Sequence, residues 1–256
     1  MPVTPSDGVA WVTGASQGIG EAVCLHLAKD GWTVIASARS ADKLAALAER
    51  AEGLSGRIVA QALDVTDGAA VEGAVSAISA EHGPIALAIL NAGTYLVDNA
   101  ESLSDETLRP TIDLNLVSVA KCLKAVLAPM REAGRGHVQV VASVSGYRGL
   151  PNAASYGASK AALINMAESL KLDFDRFGLT LQLVNPGFVK TPLTDRNEFP
   201  MPFLITAETA AGRMVAALGS RRFEVTFPRR FTFMLKIMRC LPYGLYFPIV
   251  RRMTGQ

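Results

Sequence analysis

The octapeptide Thr13-Gly14-Ala15-Ser16-Gln17-Gly18-Ile19-Gly20 follows a short β-prone run, residues 9–13, and leads into apolar residues that recur with helical spacing. Strand, glycine turn and helix in direct succession constrain the fold more than any other feature of the chain. Gly14 permits a tight turn, Gly18 lets the backbone approach a pyrophosphate, and Gly20 lets the helix pack close to its strand. The first turn of that helix then aims unpaired N–H groups and a partial positive charge at a bound phosphate.

The same alternation continues downstream. Strands are expected at residues 33–38, 57–63, 85–90, 137–142, 179–184 and 223–227, with helices at about 42–51, 69–80, 107–133, 153–177 and 207–217 between them. Parallel strands need crossovers of this length, so the expectation is an α/β fold: a doubly wound, Rossmann-type, mostly parallel seven-stranded sheet in a single domain. We expect residues 1–227 to form the nucleotide-binding catalytic domain and residues 228–256 a C-terminal extension of it. With 256 residues, half of them apolar, the chain can bury a core without disulfides or metal.

The second strand ends at Ser37-Ala38-Arg39-Ser40, near the distance from Gly14 where a carboxylate would hold the ribose 2′-hydroxyl of NAD. Arg39 stands there instead, a planar fork of donors suited to a 2′-phosphate. NADP(H) is therefore the preferred cofactor, with NAD(H) left open.

Tyr156 and Lys160 lie four apart on an expected helix and so share a face, where a cation favours the phenolate. Ser143 closes the apolar run Val140-Val141-Ala142, and ligands of open α/β sheets bind outside the carboxyl ends of strands. Together with Asp64, Asn91-Ala92-Gly93, Asn115, Pro186-Gly187 and Thr191, in this order and spacing, these residues resemble the short-chain dehydrogenase/reductase family from about residue 8 to 191. Two departures stand out: Leu90 replaces a frequent Asn, and Gln17 sits where NADP forms often carry a basic residue.

The resemblance implies an oxidoreductase that interconverts a carbonyl and an alcohol. Tyr156 would exchange a proton with the substrate oxygen and Ser143 would hold that oxygen. Lys160 would bind the nicotinamide ribose and lower the Tyr156 pKa, and Asn115 would hold a water linking Lys160 to solvent. Gly14, Ser16, Gln17, Gly18, Ile19, Gly20, Arg39, Asp64, Val65, Asn91, Ala92, Gly93, Pro186, Gly187, Val189 and Thr191, with Tyr156 and Lys160, would contact the cofactor. It further implies a homodimer or homotetramer paired through the helices at 107–133 and 153–177. Two other classes stay open: a scaffold that binds nucleotide without catalysis, and epimerase- or dehydratase-type chemistry on the same fold.

Other features set boundaries. Cys24, Cys122 and Cys240 form no Cys-x-x-Cys pair, against a disulfide framework or zinc site, and His26, His82 and His137 read as structural or exposed. The start carries no basic-then-apolar signal pattern and no apolar run reaches bilayer length, so a cytoplasmic location is expected. Net charge is +2, giving no overall reason to expect nucleic acid, but seven Arg, one Lys and one Glu lie from Arg221 onward. Residues 192–207, with Phe199, Met201, Phe203 and Leu204, are expected to cover an apolar or aromatic, hence lipophilic, small-molecule substrate. Tyr147, in the loop after Ser143, is a candidate substrate contact. The tail from Pro228 mixes apolar and cationic residues at helical spacing, broken at Pro242 and Pro248. It leaves three roles open: peripheral contact with the inner membrane surface, a cover over the substrate cleft, or a subunit contact.

Overall fold

The computed structural model of the chain describes residues 2–195 and 201–255. Seven parallel strands form the central sheet: β1 (Val9–Thr13), β2 (Thr33–Ala38), β3 (Arg57–Ala62), β4 (Ile85–Leu90), β5 (His137–Val141), β6 (Thr180–Pro186) and β9 (Glu224–Phe227). Their order is β3-β2-β1-β4-β5-β6-β9, so the chain winds outward from β1 in one direction and then from β4 in the other. The reversal opens a crevice beyond the carboxyl ends of β1 and β4, where a ligand belongs in such a sheet. A small parallel pair, β7 (Val189–Lys190) and β8 (Ile205–Thr206), brackets residues 191–204.

Alternation along each strand sends side chains into two apolar layers. Val9 and Trp11 join one, with α3 (Gly68–His82), α5 (Ser118–Glu132) and α6 (Ala154–Arg176). Ala10 and Val12 join the other, with α1 (Gly18–Lys29), α2 (Ala41–Glu49) and α7 (Ala207–Ala217). Every residue of β1, β4 and β5 is buried, as strands covered on both faces require.

Two segments depart from the sequence-based expectation. The helix expected over 107–133 is α4 (Asp105–Ile112) and α5 joined by a π-helical turn, Asp113–Val117. Pro110 removes one helical N–H there, and the Asn115 side chain is tied outside the helix, an arrangement that a wide turn accommodates. The tail forms α8 (Arg229–Arg239) and α9 (Tyr243–Thr254); Pro242 separates them as expected, whereas α9 runs through Pro248. The lost bond to the Gly244 carbonyl is offset by burial of Tyr246 and Val250 in the first apolar layer.

His137, at the start of β5, is 1% exposed, and burial pushes its pKa down to about 4. Its ordinary value is near 6.5, so between these limits the unfolded chain binds a proton that the folded protein does not. Stability therefore rises with pH across this window, and below it His137 alone costs about 3 kcal/mol. Urea titrations at intervals from pH 7 to 4 should show that slope, and His137→Leu should flatten it; an unchanged slope in the variant would assign the acid sensitivity elsewhere.

Candidate active site

The glycine turn is built as its spacing requires. Gly14 and Gly18 have φ of +67° and +61°, in the left-handed region that favours glycine. A Cβ on Gly20 would lie 2.3 Å from the Gly14 carbonyl oxygen and 2.6 Å from Asn91 Nδ2, so only glycine lets α1 approach the turn this closely. Asn91 fastens the turn to β4: its Nδ2 donates to the Thr13 and Gly14 carbonyls, both at 3.2 Å, and its N–H donates to Thr13 Oγ1 at 3.0 Å. Ala92 N–H shares that hydroxyl at 3.2 Å.

A cleft of about 340 Å³ opens beyond this turn. Gly14, Ser16, Gln17, Gly18, Ile19, Arg39, Asp64, Val65, Asn91, Ala92, Gly93 and Thr191 all line it. Asp64 holds its loop by accepting from Thr66 N–H at 2.9 Å and Thr66 Oγ1 at 2.7 Å; these bonds, with Arg39 nearby, keep its pKa below the usual carboxylate value. The glycine cradle, which side chains would fill, and the cation at its far end fit a dinucleotide.

The remaining expected contacts are placed differently. Gly20 lies behind the turn, and Pro186, Gly187 and Val189 do not line the cleft. Val189 is 2% exposed and packs in the second apolar layer, while a Cβ on Gly187 would meet the Phe231 ring at 2.8 Å. Lys43 was not singled out from the sequence, yet it lines the cleft beside Arg39 and donates to Gln17 Oε1 at 3.4 Å. Its signal was its position four residues after Arg39, in the first turn of α2.

Ser143, Tyr156, Lys160 and Asn115 gather next to this cleft, around Gly93. A Cβ on Gly93 would lie 3.1 Å from Asn115 Oδ1 and 3.6 Å from Lys160 Nζ. Ser143 follows the carboxyl end of β5, and its Oγ accepts from Ser145 N–H at 3.1 Å. Lys160 is 4% exposed and donates to the Val141 carbonyl at 2.9 Å; burial pushes its pKa down to about 8. Asn115 accepts from Thr94 N–H at 2.7 Å and donates to the Thr94 carbonyl at 2.9 Å and Ser159 Oγ at 3.0 Å. Its side chain thus clamps the loop after β4 to α6, with its hydrogen-bonding groups engaged by protein.

The expected lowering of the Tyr156 pKa by Lys160 does not occur in this structure. Burial raises it, opposed by the hydrogen bond with Ser143. The Lys160 ammonium lies 5.7 Å from the ring centroid and is engaged by the Val141 carbonyl.

Two residues absent from the sequence-based set position Tyr156. Tyr95 packs edge-on to its ring at 5.1 Å and donates to the Asn152 carbonyl at 2.9 Å. Asp98, 0% exposed, accepts from Ser155 N–H at 3.0 Å and also from its hydroxyl, capping α6 one residue before Tyr156. Tyr147 does not stand free for substrate. It is 7% exposed and donates to Glu224 Oε1 at 2.6 Å; burial and this carboxylate raise its pKa. Among the expected cover residues Phe199 lies outside the described residues, while Phe203 sits 6.1 Å from Phe231, itself 5.4 Å from Phe188.

Comparison with known proteins agrees with this fold. The family model described as short chain dehydrogenase matches residues 8–200. The chain is 38% identical to an uncharacterized oxidoreductase of Myxococcus xanthus over 95% of this chain and 96% of that one. It is 34% identical to the 3-oxoacyl-[acyl-carrier-protein] reductase FabG of Escherichia coli over 82% of this chain and 84% of that one. Among solved structures, an actinorhodin polyketide ketoreductase with NADPH superposes with a TM-score of 0.77 at 27% identity, covering 88% of this chain and 97% of that one. The chain belongs to the short-chain dehydrogenase/reductase family and is a nicotinamide-dependent oxidoreductase acting on carbonyl and alcohol groups.

Proposed function

We propose that the protein uses NADP(H) in preference to NAD(H) to interconvert a carbonyl and an alcohol on a lipophilic small molecule, with Tyr156 as the general acid and base. The observation that carries the reading is the gathering of Ser143, Tyr156 and Lys160 beside the glycine-lined cleft. When bound, the nicotinamide supplies or accepts the hydride.

The chain's own residues do the rest. In reduction the Tyr156 hydroxyl donates its proton to the substrate oxygen, and in oxidation the phenolate takes it back. Ser143 donates a hydrogen bond to that oxygen and so stabilises the charge that develops on it. Lys160 would hold the nicotinamide ribose hydroxyls, giving up the Val141 carbonyl, and would then bring its positive charge to bear on the phenol. Asn115 holds the loop carrying Gly93 against α6. Pro186, Gly187, Val189 and Thr191 would hold the nicotinamide end, Thr191 from the cleft lining itself.

The NADP preference is supported by two cations, Arg39 and Lys43, at the end of the cleft where NAD enzymes place a carboxylate. Arg39→Asp should shift the ratio of NADPH to NADH affinities toward NADH by at least about tenfold, from the loss of a charge-assisted pair to the 2′-phosphate. Titration of nucleotide fluorescence measures the ratio; an unaltered ratio would remove Arg39 from this role. The lipophilic substrate is supported by the Phe188, Phe203 and Phe231 cluster, which ties the expected cover residue Phe203 to the segment just before Thr191. A cytoplasmic homo-oligomer paired through α4–α5 and α6 completes the reading.

A further inference from the structure

The last two helices leave unexplained a surface that a protein in water would ordinarily not present. Each buries only a narrow line of side chains: Phe231, Leu235 and Met238 in α8, and Tyr246 and Val250 in α9. Outside these lines, Phe233 and Ile237 on the far side of α8, and Tyr243, Leu245, Phe247 and Met253 flanking the line or at the ends of α9, are each more than half exposed. Elsewhere among the described residues only Leu103, Leu172 and Phe203 expose as much large apolar surface. The Tyr243 and Phe247 rings stack at 5.7 Å, which joins two of these side chains into one aromatic plate.

Charge on this surface has one sign. From Val225 onward the sequence holds no acidic residue, while Arg229, Arg230, Lys236, Arg239, Arg251 and Arg252 all lie in α8 and α9. Among the described residues only Lys236 has a carboxylate partner, Glu224. Beside Phe233 a groove of about 790 Å³ runs between α7, β9 and α8; Arg213, Arg222 and Arg229 line it with the ion pair of Lys236 and Glu224, which leaves it net positive. Apolar and aromatic side chains set among unpaired cations, with a cationic groove alongside, match the interface of an anionic bilayer. Acyl chains take the apolar side chains and phosphate headgroups the guanidinium groups. A second copy fits poorly, because a two-fold contact would set these six cations against their own counterparts.

We propose that α8 and α9 form a docking face for an anionic lipid bilayer, with the groove of Arg213, Arg222 and Arg229 receiving lipid phosphate. Among the described residues no helix is long and apolar enough to cross a membrane, so the contact is peripheral. Phe203, an expected cover residue, lies beside Phe231 of α8.

Sedimentation of the full chain, saturated with NADPH, with sucrose-loaded vesicles tests the docking without turnover. Vesicles of phosphatidylcholine with phosphatidylglycerol should retain at least about tenfold more protein than phosphatidylcholine alone, and salt should weaken the difference. Phe233→Glu with Phe247→Glu should lower retention by about tenfold, and Arg222→Glu with Arg229→Glu should lower it too, with NADPH titrations unaltered as proof of folding. Wild-type protein left in the supernatant with anionic vesicles would overturn the proposal, as would retention of the Phe233→Glu, Phe247→Glu variant at the wild-type level. Loss of an oligomer in that variant by light scattering, with neither protein retained by vesicles, would assign the face to a second copy and overturn it as well.

Discussion

Tyr156→Phe is expected to bind NADPH as the wild type does and to lose about a thousandfold or more in kcat. The substitution removes one oxygen and keeps the ring, so the edge-on contact with Tyr95 at 5.1 Å and the α6 cap by Asp98 survive. What is lost is the hydroxyl that hydrogen-bonds with Ser143 and that donates the proton in the proposed reaction. Because burial holds the Tyr156 pKa above its ordinary value, the phenol stays protonated through the neutral range in the free protein. Reduction, which needs that proton, should therefore hold across neutral pH and fall only toward alkaline pH. Oxidation, which needs the phenolate, should rise with pH in the same region. Rates in both directions from pH 6 to 10 check the sign; a variant with wild-type turnover would remove Tyr156 from the chemistry.

Gly20→Ala should damage both the fold and the cofactor cleft. Its new Cβ would meet the Gly14 carbonyl oxygen at 2.3 Å and Asn91 Nδ2 at 2.6 Å, and Asn91 is itself bonded to the Thr13 and Gly14 carbonyls. The first neighbour is backbone and the second is a side-chain end held by its two hydrogen bonds, so α1 must move away from the turn. Overpacking of this kind costs about 1–3 kcal/mol of stability. Displacing the helix N-terminus from the pyrophosphate should weaken NADPH binding by about a hundredfold or more. Gly73→Ala in α3 is the matched control: a Cβ there meets nothing within 4 Å, and alanine should stabilise the helix by about 0.5–1 kcal/mol with NADPH affinity unaltered. Thermal melts and fluorescence titrations of the two variants separate the effects. Equal behaviour would mean that close packing at Gly20 is not what shapes the cleft.

The parts of this structure legible in the sequence are those governed by local rules. The glycine turn, the seven strands and the Tyr156–Lys160 spacing each follow from backbone geometry or periodicity within a few residues. What was not legible depends on contacts between distant segments. Lys43 enters the cleft only because α2 folds back toward the first glycine turn, and Tyr147 is claimed by Glu224, which arrives on the last strand of the sheet. The π-helical turn at Asp113–Val117 goes with the clamp of Asn115 on Thr94 and Ser159, a pairing that no helical period encodes. Pro248 read as a breaker by local rules, yet tertiary burial of Tyr246 and Val250 carries α9 through it.

The most direct test of the central claim measures nicotinamide and product together: purified protein, NADPH and a panel of lipophilic ketones and aldehydes, with NADPH loss followed by absorbance and alcohol formation by chromatography. The account predicts that some member of the panel is reduced with one NADPH consumed per alcohol formed. Tight NADPH binding with no consumption across the panel, or product formed without net consumption, would contradict it in favour of a silent scaffold or of epimerase- or dehydratase-type chemistry.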